Sequence, residues 1–173
     1  MQPARIIRSM KFPSTLVQTT YASPLGPMIL AANGKHLAGV WFEGQSHQPD
    51  SSAWAHAGND PLLRQTASQL SEYFSGKRRS FDLPLDLGCG TAFQQAVWHT
   101  LLAITCGHTS SYGELAATLG KPTAARAVAG AVGRNPFSII VPCHRVLGAQ
   151  GALTGYAGGL ARKVKLLQLE SQA

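Results

Sequence analysis

The hydrophobic pattern splits the chain into an extended first half and a helical second half. Residues 15–21, 28–32 and 37–42 are short apolar or alternating runs bounded by turn formers, and each reads as a β-strand. Ser23-Pro24-Leu25-Gly26-Pro27 separates the first two, and Asn33-Gly34 is a hairpin signal before the third. The pattern predicts a three-stranded meander. Residues 45–60 are polar and rich in small side chains and read as a loop. His47 and His56 lie in it without metal-ligand spacing to a cysteine and read as solvated. Apolar side chains at 62, 63, 70, 73 and 74 predict a helix stopped by Gly76. Lys77-Arg78-Arg79 reads as a solvated turn, and residues 81–87 alternate as an edge strand would.

Helical spacing takes over beyond a linker at residues 88–90. Thr91-x-x-Gln94 is a capping box, Phe93, Val97 and Leu101 form a stripe, and Trp98 reads as core. Ser111-Tyr112-Gly113-Glu114 is a second capping box, opening a helix with Leu115 and Leu119 inward and Gly120 at its end. A tight turn, Gly120-Lys121-Pro122-Thr123, leads into a small-residue helix over 124–132. Helix, short glycine-containing turn, helix is the helix-turn-helix pattern. Arg126 is the one long cation in that small-residue run. It either snorkels to solvent or projects into the groove of a partner that small side chains let come close. The last helix, 160–170, puts Leu160, Val164 and Leu167 on one face. Its charges oppose its dipole, with Arg162, Lys163 and Lys165 near the positive end and Glu170 at the negative end. Reversals at both ends point to function. The cations suit a phosphate, and His144 is a partner for Glu170.

Charge sharpens this division. The chain of 173 residues carries +7 overall. Residues 1–86 hold eight Lys/Arg against six Asp/Glu, whereas residues 87–173 hold seven against only Glu114 and Glu170. A basic helical half favours a polyanionic partner. Cys89, Cys106 and Cys143 are an odd number with no CxxC pair, so neither a disulfide framework nor a cysteine-rich zinc site is expected. Reduced thiols point to the cytoplasm. No apolar run approaches the roughly 18 residues of a membrane span. Residues 1–14 read as a frayed basic leader without an apolar signal-peptide core.

The chemistry concentrates in Ile139-Ile140-Val141-Pro142-Cys143-His144-Arg145-Val146. The apolar run predicts a short buried extended segment, and Pro142 suits the first position of a helical turn. Cys143 would then sit at a helix N-terminus, where the dipole lowers a thiol pKa. Most free cysteines are buried, inert hydrophobes, but such a residue has no need of His and Arg beside it. Adjacent residues do not face each other on a helix, so a relay through water or a hydroxyl is expected between Cys143 and His144.

Pro142-Cys143-His144-Arg145-Val146, preceded by Asn135-Pro136 and followed by Gly155-Tyr156-Ala157-Gly158-Gly159, resembles the O6-alkylguanine-DNA alkyltransferase family. The likeness is dense from about residue 91 to 170 and thin before. It implies an α+β fold: a small N-terminal α/β domain (15–87) with a short antiparallel, RNase-H-like sheet, then an all-α domain (91–173) carrying the helix-turn-helix and the PCHR motif. It implies a partner, double-stranded DNA bearing O6-alkylguanine, with O4-alkylthymine and cooperative assembly of a monomer left open, and no membrane. The implied reaction moves the alkyl group irreversibly to Cys143 once the nucleotide is flipped out of the stack, without a cofactor or metal. Residue by residue, His144 is the base acting through water, Glu170 orients and charges it, and Asn135 braces the turn. The resemblance further implies that Tyr112 donates to the flipped base and protonates it as the group leaves. Backbone carbonyls of Cys143 and Val146 read the guanine amine, and Arg126 fills the space of the extruded nucleotide. Gly113 and Lys121 are implied phosphate contacts, with Arg145 and Ala157 in the substrate-binding set.

Ala157 stands where some relatives place a serine and Thr105 where proline is frequent, and no zinc-ligand set is evident. Two other readings remain. A Cys143/His144 hydrolase would need turnover and an oxyanion hole, which the glycine-rich stretches do not clearly supply. A lesion-binding helix-turn-helix module without catalysis would lack the acceptor cysteine, which is present.

Overall fold

A computed structural model describes residues 10–172. Strands β1 (Val17–Ser23), β2 (Gly26–Ala32) and β3 (Leu37–Phe42) form the expected antiparallel meander. A two-residue strand β4 (Ala55–His56), inside the stretch read as a loop, pairs parallel with β1, giving the order β3-β2-β1-β4. β2 and β3 read as continuous apolar runs because both their faces are covered. Met28, Leu30, Val40 and Phe42 face the main core, whereas Ile29, Ala31, Ala38 and Trp41 meet Leu16 and Trp54 in a second cluster. Phe12 stands edge-on to Trp41 at 5.3 Å, so that part of the expected leader is packed, while residues 1–9 lie outside the described residues.

The first three helices begin at side-chain caps, two of them the predicted capping boxes. Helix α1 (Pro61–Phe74) starts at Asp60, whose carboxylate accepts from Leu62 N and Leu63 N, with Pro61 in the first turn. Helices α2 (Ala92–Leu102) and α3 (Tyr112–Thr118) each open with a complete capping box, from Thr91/Gln94 and Ser111/Glu114. Helices α4 (Ala125–Gly133) and α5 (Leu160–Ser171) follow. None of these helices is long and apolar enough to cross a membrane. Trp98 on α2 is fully buried and donates to Ala131 O on α4 at 2.9 Å, locking the two helices together. The linker must be thin there, since a Cβ on Gly90 would fall 2.4 Å from the Trp98 ring.

Two expected elements are absent. Residues 81–87 make only a single bridge, Leu85 to Leu37, instead of an edge strand. The Gln69 side chain takes the Asp82 backbone, donating to its O at 3.0 Å and accepting from its N at 2.9 Å, and Pro84 has no N–H to offer a ladder. Residues 139–141 are a turn, not an extended segment.

One apolar core runs through both halves, from Leu30, Val40 and Leu70 to Trp98, Val132, Phe137 and Leu166. The link at β3 is a pair of backbone hydrogen bonds. Val40 N donates to Pro136 O and Ser138 N donates to Val40 O, both at 2.8 Å, so the free edge of the sheet splints the turn before Cys143.

Candidate active site and nucleic-acid face

That turn is strained and over-determined. Ile139 adopts φ +73°, and Ile140 N donates to Ser138 O at 2.9 Å, closing a γ-turn about a β-branched residue. Such a conformation costs on the order of 1–3 kcal/mol and persists only where the surroundings enforce it. Asn135 does much of the enforcing. Its Oδ1 accepts from Phe137 N at 2.9 Å, while its Nδ2 donates to Val141 O at 2.7 Å and Phe137 O at 3.2 Å. From the sheet side, Gln45 Oε1 accepts the Ser138 hydroxyl at 2.9 Å.

Cys143 emerges from the turn at the floor of a cavity of about 430 Å³. Tyr112, Val132, Tyr156 and Ala157 line it, and Ser46 and His47 reach it from the sheet half. The expected helix N-terminus is a 3₁₀ turn of three residues, Cys143–Arg145, preceded rather than begun by Pro142. So short a turn has little dipole, and burial pushes the thiol pKa up, against opposing pulls from Asn135 and Lys163. The resting group is therefore held as the thiol, where the sequence predicted a pKa lowered by a helix dipole. Cys89 is pushed up to about 11 by burial and Asp86. Neither it nor Cys106 lines this cavity.

Behind Cys143 lies a buried ionic cluster. His144 Nε2 donates to Glu170 Oε1 at 2.6 Å, which fixes the tautomer and leaves Nδ1 as a bare acceptor with no protein partner. Burial lowers the His144 pKa, with Glu170 opposing, so the ring is neutral at pH 7. Burial alone would raise Glu170, but His144 and Arg145 hold it well below the usual carboxylate range. Arg145 grips both carboxylate oxygens, Nε to Oε2 at 2.9 Å and Nη2 to Oε1 at 2.8 Å, and its Nη1 donates to Ile104 O. Its guanidinium is thus spent inside the protein, and Arg145 does not face a substrate or DNA as the resemblance implied.

Helix α5 presents Lys163, Leu166 and Glu170 to the interior, whereas of the apolar face Leu160, Val164 and Leu167 the last two are only half-buried and Leu160 is 47% exposed. Periodicity failed because the inward positions are charged. Lys163 is fully buried and donates to Val146 O at 2.6 Å, Thr154 O at 2.8 Å and Gly155 O at 3.2 Å. Arg162 stacks over Phe42 at 4.5 Å and donates to Leu25 O and Gly158 O. Neither cation holds a phosphate. Both staple the 154–158 strap to its surroundings, and carbonyl acceptors offset the unfavourable dipole.

The open side of the cavity carries the remaining candidates. Strand β5 (Ser110–Ser111) pairs parallel with β6 (Val146–Leu147) and so sets Tyr112, first residue of α3, over the cavity. Burial raises the Tyr112 pKa, with Thr154 opposing, and the phenol stays a donor at neutral pH. Arg126 is exposed on α4, whose next turns supply Ala129, Val132 and Gly133 to the cavity wall. Gly130 and Gly133 face open space, leaving that wall shallow. Gly113 is exposed beside Tyr112, and Lys121, in the turn between α3 and α4, lies 5.2 Å over the Phe93 ring. Val146 is buried, with its carbonyl on Lys163. Ala157 lines the cavity, and its carbonyl accepts Ser46 N at 3.0 Å.

Ser46, His47, Tyr73, Tyr156 and Lys163 belong to the site yet were not singled out for it from the sequence. Lys163 left a trace there as a charge on the wrong end of a helix, and Tyr156 as part of the quoted motif without a role. His47, read as solvated, stands at the cavity rim with φ +62°.

Two family models cover nearly all of the described chain. Residues 16–87 match the ribonuclease-like domain of 6-O-methylguanine DNA methyltransferase and residues 92–172 its DNA binding domain. The methylated-DNA–protein-cysteine methyltransferase of Mycobacterium leprae is 50% identical over 148 residues, spanning 86% of this chain and 88% of that one. The Haemophilus influenzae protein of the same name is 42% identical, spanning 91% and 87%. Among solved structures, Mycobacterium tuberculosis OGT in complex with DNA superimposes with a TM-score of 0.84 at 46% identity, covering 90% of this chain and 93% of that one. With its cysteine cavity, its buried histidine–glutamate pair and these matches along its length, the chain belongs to the methylated-DNA–protein-cysteine methyltransferase family.

Proposed function

We propose that Cys143 is the acceptor in a single-use DNA repair reaction. The chain repairs DNA by moving the methyl group of O6-methylguanine onto one of its own cysteines. The observation that carries the assignment to Cys143 is its position on the cavity floor, with the bare Nδ1 of His144 buried behind it.

The thiol proton passes to His144 Nδ1 through water, and Glu170, already ionised, stabilises the imidazolium that forms. The Cys143 thiolate attacks the methyl carbon, an S–C bond forms and the C–O bond to the purine breaks. Tyr112 supplies a proton to the departing guanine, and the proton on His144 restores the phenol. In net terms the thiol proton ends on guanine and the methyl on sulfur. No oxidant, metal or cofactor enters that balance. The thioether has no easy hydrolysis route, so each molecule acts once. A free thiol of this kind suits a reducing compartment, and we place the protein in the cytoplasm.

A base inside a stacked duplex cannot reach the cavity, so the nucleotide must be flipped out, at a cost of about a few kcal/mol. Arg126, exposed beside the cavity wall on a helix of small residues, takes the place of the flipped nucleotide. Gly113 and Lys121 contact phosphates, and the Cys143 and Val146 carbonyls read the guanine amine, each having a second lone pair to offer. On this reading residues 91–173 are the DNA-binding and transfer unit and residues 15–87 its scaffold.

The test is intact and peptide mass spectrometry after incubation with an O6-methylguanine duplex. One methyl on the Cys143 peptide, stoichiometric and without turnover, is expected. An unmodified protein that still binds the duplex would make this a lesion-binding module.

A further inference from the structure

The scaffold half sends a phenol into the buried ionic cluster behind Cys143. Tyr73, on α1, donates its hydroxyl to Glu170 Oε1 at 2.7 Å across a sequence separation of 97 residues. That oxygen is the same one that accepts His144 Nε2 at 2.6 Å and Arg145 Nη2 at 2.8 Å. Tyr73 is 2% exposed, and its ring is packed at 5.4 Å by Phe74 and at 5.6 Å by Phe81. If packing were its whole role, phenylalanine would fill the site without burying a hydroxyl. Burial, reinforced by Glu170, raises its pKa far above the ordinary value, so the phenol is a permanent donor.

We infer that Tyr73 is a positioning residue for the transfer: its hydroxyl occupies Glu170 Oε1 and so limits how strongly that carboxylate raises the basicity of His144. This rests on the proposed role of His144 as the base for Cys143. Three donors share one oxygen, and each one withdraws charge from the others. Removing the Tyr73 hydroxyl concentrates charge on the His144 bond and favours imidazolium. The other ionisable groups facing this pair are Arg145, Lys163, Cys143, Cys106 and Tyr156, and Tyr73→Phe leaves all of them in place. The sheet half would then tune the chemistry as well as support it.

The experiment is single-turnover methyl transfer from an O6-methylguanine duplex, followed by mass spectrometry from pH 5 to 9, for the full chain and Tyr73→Phe. The rate rises as His144 loses its proton, so a more basic His144 moves that rise to higher pH. The expected displacement is about half a pH unit, a roughly threefold slower reaction on the acid side with little change above pH 8. Incorporating 3,5-difluorotyrosine at position 73, a more acidic phenol and stronger donor, is expected to displace the rise to lower pH. This second variant retains the hydroxyl and decides the matter if Tyr73→Phe fails to fold. A rise unmoved by either change, or a rate lowered equally at every pH, overturns the inference. The same spectra locate the methyl group. A methyl on another cysteine sinks the Cys143 reading, whereas a methyl on Cys143 with an unmoved profile sinks only the role of Tyr73.

Discussion

The interior beneath the sheet and the interior beneath α5 are built on opposite principles. Around β2 and β3 every buried side chain that meets the core is apolar, from Met28 and Leu30 to Val40 and Phe42. Beneath α5 the buried residues include Lys163, Glu170, His144, Arg145 and Asn135. The first region gains stability from removing hydrocarbon from water. The second buries charge, which is favourable only when nearly every lone pair and proton is matched. The matching is close: among the described residues, only His144 Nδ1 and the Tyr156 hydroxyl are buried side-chain polar atoms without a partner. Both belong to the Cys143 cavity or to the histidine behind it, the proposed base. Polar completeness is relaxed where a proton has to move or a substrate has to enter.

Substitutions separate the two interiors most sharply. Cys143→Ser has the largest effect on function: methyl transfer is abolished and duplex binding is retained, read by peptide mass spectrometry beside a gel-shift titration. Transfer that survives would move the acceptor to Cys89 or Cys106. For stability, Glu170→Gln is expected to cost about 3–5 kcal/mol, because it leaves Arg145 buried without its counter-charge. Leu30→Ala in the sheet interior is expected to cost a similar 2–5 kcal/mol through lost burial and a cavity. Urea denaturation will not distinguish them by magnitude. Denaturation against pH will, since only the polar interior titrates.

The sign of that titration on the acid side follows from the depressed pKa values of His144 and Glu170. His144 is neutral in the folded protein and ordinary in the unfolded chain, so the unfolded state binds the extra proton as pH falls below about 6.5. Glu170 is ionised in the folded protein, and the unfolded chain protonates first below about 4.3. Both contributions are present at neutral pH and are lost on acidification, first His144 and then Glu170. Unfolding free energy is therefore expected to fall from pH 7 to 5 in the parent and in Leu30→Ala alike. His144→Gln should reduce that slope, leaving the part that His47 contributes, whose pKa burial and Arg134 also lower. A slope unaffected by His144→Gln would mean that another group carries the acid sensitivity.

The same contrast explains what was legible in the sequence. Strands, caps and helix starts were readable because each rests on a local rule: β3 ran as Leu37–Phe42, and Thr91/Gln94 and Ser111/Glu114 capped where they stood. Cys143 and its neighbours, the proposed reacting group, stood out through a contiguous motif. Tyr73 and Gln45 were not, because their partners Glu170 and Ser138 lie 97 and 93 residues away and nothing local marks the pairing. The inward face of α5 was misread because the hydrophobic period assumes that burial follows hydrophobicity. Residues 139–141 were misread because β-branched side chains argue for a strand, whereas Asn135 and the edge of β3 impose a turn. In each miss, tertiary partners overrode a local preference, and in most of them the partners belong to the site.

Arg126 tests the remaining face, where neither interior is involved. The residue is exposed among small side chains, so Arg126→Ala should change folding stability by less than about 0.5 kcal/mol. Its effect on repair should nevertheless depend on the substrate. On the proposed reading the arginine would fill the gap left by the extruded nucleotide in duplex DNA, so that without it the flipped state would be less populated. Free O6-methylguanine has no stack to leave, so its reaction should be nearly unchanged. The ratio of duplex to free-base rates is the measurement, and equal losses on both substrates would refute a flipping role. Because one cation is removed from a surface that binds phosphates, the dependence of duplex affinity on salt should also shallow by at most about one unit of log–log slope. A parent protein whose affinity barely responds to salt would place the DNA elsewhere and remove Arg126 from the mechanism altogether.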